Sequence, residues 1–125
     1  MEIVRCAVAA LNARDLEGYL ACCTEDVEVY TPIVAGSYEG RQGIKQFLTD
    51  IEDAGPDFHI DLQGLQAIGG GQVLAFVHAG FAGRASGIPT KFEATSVYDL
   101  IDGKISRARI FLDRHEARKA VGLEE

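Results

Sequence analysis

The chain has 125 residues, of which 47% are hydrophobic and 25% charged, and its formal net charge at pH 7 is −7. This length fits one domain, residues 1–125, that can bury a core of its own. The negative charge argues against a nucleic-acid partner, because phosphate binding needs a cationic surface. No apolar run reaches the roughly 18 residues of a membrane span, so we expect no membrane partner.

The cysteines are Cys6, Cys22 and Cys23, and their spacing fits neither a zinc site nor a redox pair. We expect all three to be small buried hydrophobes in a reducing environment, which together with the lack of a signal-peptide pattern predicts a cytoplasmic protein. The three histidines lack metal-ligand spacing, so no metal site is predicted.

The first half of the chain predicts three helices and one short strand. Apolar residues recur at helical spacing in the first ten residues, and Asp15 is a candidate N-cap for the second helix. A short strand over Val27–Tyr30 ends before Pro32, and a loop over residues 33–40 follows. The third helix ends at Gly55-Pro56.

The second half predicts four strands. Phe58, Ile60 and Leu62 alternate with polar residues, and glycines 69–71 turn the chain into the next strand. A second turn over residues 86–89 leads into a long hairpin around Asp102-Gly103, which is a strong type I′ turn signal. A short tail helix is predicted over Asp113–Val121, with Asp113 as its candidate cap. Helices followed by antiparallel strands indicate an α+β domain with a mixed, mainly antiparallel sheet.

Six short motifs follow one another along the chain, and their combined order and spacing are more specific than any one motif. They are Glu2-Ile-Val-Arg5, Asn12-Ala-Arg-Asp-Leu16, Leu20 to Val27, Tyr38-Glu-Gly-Arg41, Asp102-Gly-Lys-Ile105 and Phe111-Leu-Asp113. This pattern resembles the SnoaL-like and ketosteroid-isomerase-like proteins of the nuclear-transport-factor-like superfamily. The resemblance implies three helices on a curved sheet, a cone-shaped pocket for a hydrophobic small molecule, a homodimer and no cofactor.

The resemblance also implies four working positions, which are Ala7, Thr31, Ser96 and Ile110 in this chain. The isomerase places a Tyr at the first, its Asp base at the second and a neutral Asp at the third, where SnoaL-type cyclases place a His. The cyclases place a catalytic Asp at the fourth. None of the four residues here carries an ionisable group near neutral pH or a phenol.

Alternation along the predicted strands gives an apolar pocket lining with a few hydroxyl groups. The predicted ligand-binding residues are Tyr19, Thr31, Tyr38, Val77, Phe81, Ser96, Tyr98 and Ile110. Ser96 and Tyr98 lie two residues apart, so they share one face of their strand and form the best hydrogen-bonding pair.

His59 and Asp61 are the candidate catalytic residues, because a His–Asp pair can act as a general base and the group that orients it. Two interpretations stay open. The alternation of Phe58, Ile60 and Leu62 puts the pair outside the core, whereas an ungapped family alignment puts it inside.

Three functions follow from these observations. The first is a cofactor-independent acid–base isomerase, cyclase or dehydratase acting on a hydrophobic substrate. The second is a non-catalytic small-molecule-binding protein, which the four substituted positions favour. The third is a dimerisation module. A bias toward the enzyme rests on the resemblance alone.

Overall fold

The computed structural model describes residues 2–32, 37–55, 57–81 and 90–122, and within the strands the side chains of residues 81 and 90 lie outside the description. A six-stranded sheet packs against helices. The elements are α1 (Glu2–Ala13), α2 (Leu16–Ala21), β1 (Cys23–Tyr30), β2 (Ser37–Glu39), α3 (Gly40–Ala54), β3 (His59–Gly69), β4 (Gln72–Phe81), β5 (Thr90–Ile101), β6 (Lys104–Phe111) and α4 (Arg114–Ala120). The predicted α+β class is confirmed.

The strands lie in the order β2-β1-β6-β5-β4-β3, and β1 runs parallel to β6 while the other described pairs are antiparallel. The turn between β5 and β6 has φ angles of 51° at Asp102 and 78° at Gly103. Positive φ at both central residues characterises a type I′ turn, whose twist matches that of the paired strands. The predicted hairpin is therefore present.

Side-chain alternation along β4 and β5 separates two cores. One face of the sheet, the inner face, packs against α1, α2 and α3 and carries Val73, Ala75 and Tyr98. The opposite, outer face carries Leu74 and Val97, which are fully buried beneath Ala117 of α4. Because successive strand residues point to opposite faces, the register of β4 and β5 decides which residues enter each core.

Helix α4 closes part of the outer face, and its start is fixed by a local cap. The Asp113 carboxylate accepts a hydrogen bond from the backbone N–H of His115 at 2.8 Å, as predicted from the sequence. Thr95 of β5 is only 3% exposed on this face. Alternation along β5 predicts that Thr95 faces solvent or an interface, but this side of the sheet carries a second, small core that includes Ala117 of α4.

A bulge in β6 changes the alternation that the sequence suggests. Asp99 pairs with Arg107 but the next residue, Leu100, pairs with Ile105, so Ser106 is the additional residue. The Ser106 hydroxyl donates to the backbone oxygen of Asp99 at 3.1 Å. Without the bulge Ile105 would share the outer face with Arg107, whereas it is fully buried in the main core.

Other differences from the sequence predictions have long-range causes. β1 begins at Cys23 rather than Val27, because Cys23 pairs with Ile105 of β6 far along the chain. β2 forms by antiparallel pairing with β1 in a stretch predicted as loop. Cys6 is exposed, so its predicted burial is wrong, whereas Cys22 and Cys23 are buried. The turn over residues 86–89 lies outside the described residues.

Asn12, near the end of α1, connects the first helix to the sheet. Its side-chain amide donates to the backbone oxygen of Ile60 at 2.9 Å and accepts from the Ile60 N–H at 2.8 Å. The amide therefore acts like one residue of a neighbouring strand at the open edge of β3. This pair of bonds fixes how α1 lies across the inner face.

We expect the Asn12→Ala variant to lower the free energy of unfolding by about 2 kcal/mol, because both partly buried backbone groups of Ile60 lose their partner. Urea denaturation followed by circular dichroism measures this loss. The matched control is Gln46→Ala, which removes an exposed side-chain bond to Asp50 and should cost less than about 0.5 kcal/mol. Equal losses in the two variants would contradict the role given to Asn12.

Candidate functional site

The inner face of the sheet is a wall of small and apolar side chains. Val77 and Ala79 of β4 are 4% and 2% exposed, and they lie beside Ala94 of β5. Tyr98 of β5 pairs with Ala108 of β6 on the same face. The side chain of Phe81, a predicted lining residue, lies outside the described part of the chain.

The hydroxyl groups of Ser96 and Tyr98 interrupt this wall, and Tyr19 of α2 lies near Tyr98. We call Tyr19, Ser96 and Tyr98 the hydroxyl cluster. All three residues are buried. Ser96 hydrogen-bonds to Tyr98, which lowers the pKa of the phenol, but burial has the larger effect and raises the pKa of Tyr98 to about 12. Burial likewise raises the pKa of Tyr19 well above its ordinary value, with smaller contributions from Tyr98 and the thiols of Cys23 and Cys22. The phenols therefore stay neutral at physiological pH.

The two buried thiols beside the cluster are also neutral. Burial raises the pKa of Cys23 to about 12, and the Sγ of Cys23 donates to the backbone oxygen of Tyr19 at 3.2 Å. Burial raises the pKa of Cys22 as well, and its Sγ donates to the backbone oxygen of Gly18 at 3.4 Å. A thiol held in its protonated form is a poor nucleophile, so these cysteines act as small packing groups.

An open cleft of about 590 Å³ lies where β1 ends and β6 continues beyond it, and we call it the rim cleft. Its lining residues are Tyr30, Thr31, Pro32, Arg109, Ile110, Phe111, Leu112, Asp113 and Glu116. Thr31 is buried, and Ile110 packs against the main core. Tyr30 and Leu112 are 40% and 57% exposed, which is unusual for large apolar side chains in the described residues.

The rim cleft and the hydroxyl cluster are joined through one cross-strand pair. Ile110 in the cleft wall lies directly opposite Ser96, and both side chains belong to the inner face. Side chains opposite each other in an antiparallel pair have Cβ atoms roughly 5 Å apart. The hydroxyl cluster therefore begins immediately behind the cleft wall.

Tyr38 lies in β2, and its phenol is hydrogen-bonded to a residue of α3. Its hydroxyl donates to the Oδ2 of Asp50 at 2.6 Å, and this bond lowers the pKa of Asp50. The Tyr38 ring lies 5.2 Å from the Phe47 ring, measured between centroids. In this position Tyr38 holds β2 onto α3, and it is not among the residues that line the rim cleft.

His59 and Asp61 contact each other, but on the outer face of β3. The Nε2 of His59 lies 3.4 Å from the Oδ2 of Asp61, and the two side chains are 48% and 63% exposed. Ile60 between them is buried in the main core, as the alternation interpretation describes. The structure therefore brings the pair together without bringing it to the hydroxyl cluster or the rim cleft.

The other two histidines are exposed as well. His78 lies on the outer face with its Nε2 3.3 Å from the Oε1 of Glu93, and His115 lies in α4. Among the described residues no group of histidine, cysteine and carboxylate side chains has the geometry to hold a metal ion. No described helix is long and apolar enough to cross a membrane.

Comparison with known proteins shows to which family this architecture belongs. The sequence profile of the SnoaL-like domain matches residues 4–108, which is most of the chain. The chain belongs to the SnoaL-like domain family. A search of curated protein sequences gave no match.

Solved structures agree with this SnoaL-like assignment. TerC, co-crystallised with polyporic acid, is 22% identical with a TM-score of 0.78 over 94% of each chain. A ketosteroid-isomerase-like protein from Catenulispora acidiphila, in complex with trimethylamine, is 15% identical with a TM-score of 0.76 over 88% of this chain and 84% of its own. The epoxide hydrolase/cyclase-like enzyme SalBIII is 23% identical with a TM-score of 0.73 over 88% and 87%. At these identities the likeness shows the fold.

The four working positions that the SnoaL-like resemblance implies all lie on the inner side of the sheet. Ala7 and Ser96 are 1% and 3% exposed, Thr31 is 4% exposed, and Ile110 is partly buried against the main core. Sequence reasoning did not find Arg109 as a cleft residue. The only local signal for the cleft was Pro32, which marks the end of β1. How far β6 extends beyond β1 depends on the pairing of these two strands, which are distant in the sequence.

The buried phenols predict how the stability of this SnoaL-like chain depends on pH. The folded state keeps the Tyr98 proton up to about pH 12, whereas the unfolded phenol loses it near its ordinary pKa of 10.0. The stabilising contribution is therefore complete below pH 10 and is lost as the pH rises toward 12. Each such tyrosine lowers the unfolding free energy by up to about 1.4 kcal/mol per pH unit in this window.

We expect the Tyr98→Phe variant to lose stability less steeply than the wild type between pH 10 and 12, because one of the phenols whose pKa is raised by burial is gone. Urea denaturation at a series of pH values measures the slope. Tyr30→Phe is the control, since the exposed Tyr30 ring should change the slope much less. An unchanged slope in Tyr98→Phe would show that Tyr98 is not desolvated.

Proposed function

We propose that this SnoaL-like chain binds a hydrophobic organic small molecule in the rim cleft. The observation that carries the proposal is the cleft itself, whose volume of about 590 Å³ lies in the range of small-molecule sites. Its walls are mostly apolar, and they include Thr31 and Ile110, two of the four family working positions. Burying the exposed Tyr30 and Leu112 against a ligand would supply the hydrophobic free energy of binding.

The hydroxyl cluster supports a ligand that also carries a neutral oxygen. Ser96 lies opposite the cleft residue Ile110, and Tyr98 is bonded to Ser96. Because the phenols of Tyr98 and Tyr19 keep their protons, they can donate hydrogen bonds to a carbonyl or ether oxygen that enters this end of the interior. Such donors orient a ligand without removing a proton from it.

Acid–base catalysis is a second candidate, favoured by the contact between His59 and Asp61. The sheet order places β3 three strands from β6, which corresponds to roughly 14 Å at the usual spacing of neighbouring strands. A substrate in the rim cleft would therefore lie beyond the reach of this imidazole. Catalysis by the pair requires a substrate on the outer face of β3.

The relatives are consistent with either role. SalBIII is described in connection with pyran ring formation in polyether salinomycin, and TerC was co-crystallised with polyporic acid. These statements concern those proteins, and for this chain they support only the choice of a small organic molecule as ligand. The homodimer, the cytoplasmic location and the lack of a cofactor stay predictions from the sequence.

N-Phenyl-1-naphthylamine, a neutral probe that fluoresces in apolar sites, tests the binding proposal. The chain has no tryptophan, so protein emission will not interfere with the titration. We expect saturable binding to the wild type. Leu112→Asn should weaken binding roughly fivefold, because the probe loses part of the free energy of about 1.5–3 kcal/mol that a buried leucine provides.

Ile101→Asn is the matched control for Leu112→Asn. Both side chains are 57% exposed, but Ile101 lies outside the rim cleft, beside Gly70 and Gln72. The control variant should bind the probe like the wild type. Absence of saturable binding, or equal weakening in the two variants, would contradict a ligand site in the rim cleft.

A further inference from the structure

Arg109 is the one cationic residue that lines the rim cleft in the described part of the chain. It lies on the outer face of β6, opposite Val97 of β5 and beside Tyr30 of β1. Its side chain is 19% exposed, so much of the guanidinium is removed from water. The following inference rests on the proposed binding function and specifies its ligand.

The charge of Arg109 is incompletely paired within the described part of the chain. Asp99 is its nearest carboxylate, with Oδ1 3.7 Å from the Nη2 of Arg109, which is too long for a hydrogen bond. That carboxylate is already engaged by the Nε of Arg107 at 2.6 Å and by Gln72 at 2.8 Å. The Asp99 carboxylate therefore pairs mainly with Arg107.

One donor of Arg109 has no partner at all among the described residues. Its Nε is buried, and no hydrogen-bond acceptor of those residues reaches it. Burial lowers the pKa of Arg109, repulsion from Arg107 lowers it further, and Asp99 only partly offsets both. A guanidinium nevertheless stays charged at neutral pH. The cleft wall thus contains a partly desolvated cation that would be stabilised by an additional anion.

We propose that the rim cleft selects hydrophobic organic acids over neutral molecules of the same shape, with the Arg109 guanidinium binding the acid group. The apolar lining residues would contact the body of the ligand. A planar guanidinium suits a carboxylate or sulfonate, because two parallel N–H donors can bond two oxygens.

Two carboxylates in the cleft wall oppose this preference, and their positions limit the effect. Asp113 is exposed and its Oδ1 already accepts the N–H of His115, while Glu116 is exposed on α4. Exposed charges are screened by water and salt, whereas a partly buried charge is screened much less. The attraction to Arg109 therefore exceeds the repulsion from Asp113 and Glu116.

Two probes with one ring system test the preference. 1-Anilinonaphthalene-8-sulfonate is N-phenyl-1-naphthylamine with a sulfonate added, and the sulfonate stands in for the acid group of the ligand. We expect the wild type to bind the sulfonate probe about tenfold more tightly than the neutral one, since charged hydrogen bonds are among the strong ones. Fluorescence titration of both probes gives the ratio of the two dissociation constants.

Substitutions test whether Arg109 causes the preference for the sulfonate probe. Arg109→Gln should reduce the ratio to about one. Because the ratio compares two probes on the same variant, any change of the cleft that affects both probes alike cancels. Lys119→Gln removes an equal charge from an exposed position of α4 that does not line the cleft, and it should keep the wild-type ratio. Arg109→Lys, which keeps the charge but loses the planar fork, should give an intermediate ratio.

The outcomes separate this inference from the binding proposal. If neither probe binds the wild type, the rim cleft is not a ligand site and both proposals fail. If the two probes bind equally well, or if Lys119→Gln loses the preference as much as Arg109→Gln does, only the selection of acids is overturned. Should Arg109→Gln not fold in thermal denaturation, the wild-type ratio and the Arg109→Lys variant decide the question.

Discussion

The turn at Asp102-Gly103 fixes how β5 pairs with β6, and this pairing decides which side chains enter the interior. With that register Ser96 lies opposite Ile110 and Tyr98 opposite Ala108, all on the face covered by α1 to α3. A shift of one residue would exchange the inner and outer faces of a strand. The bulge at Ser106 then adds Ile105 to the inner core while Arg107 stays outside.

The same pairing explains why the interior is neutral while the cleft is charged. Inner-face positions of the hairpin hold small residues and hydroxyl groups, so the buried phenols keep their protons. Outer-face positions of β6 hold Arg107 and Arg109, and both lie near one partly buried carboxylate, Asp99, which is closer to Arg107. The rim cleft crosses the edge of β6 beyond the end of β1, and there a ligand can touch both faces. In our proposals, neighbouring residues of one strand, Ile110 and Arg109, therefore contribute to binding and to the selection of an acid group.

Local patterns in the sequence predicted the helices, the Asp102-Gly103 hairpin and the two aspartate caps, because each depends on residues close together in the chain. Alternation also indicated that His59 lies outside the core beside a buried Ile60. The bulge at Ser106, the early start of β1 at Cys23 and the rim cleft could not be predicted in this way. The start of β1 and the rim cleft depend on the parallel pairing of β1 with β6 or on its end, and residues about 80 positions apart carry no local signal for such a register. The bulge lies in the pairing of β5 with β6, and the alternation along β6 does not indicate it.

Intermolecular nuclear Overhauser effects between N-phenyl-1-naphthylamine and methyl-labelled protein test the central claim most directly. This claim is that the cleft at the end of β1 is the ligand site. We predict contacts from the probe's aromatic protons to the methyl groups of Thr31, Ile110 and Leu112. Contacts confined to Ile101, or to methyl groups distant from the end of β1, would contradict the account.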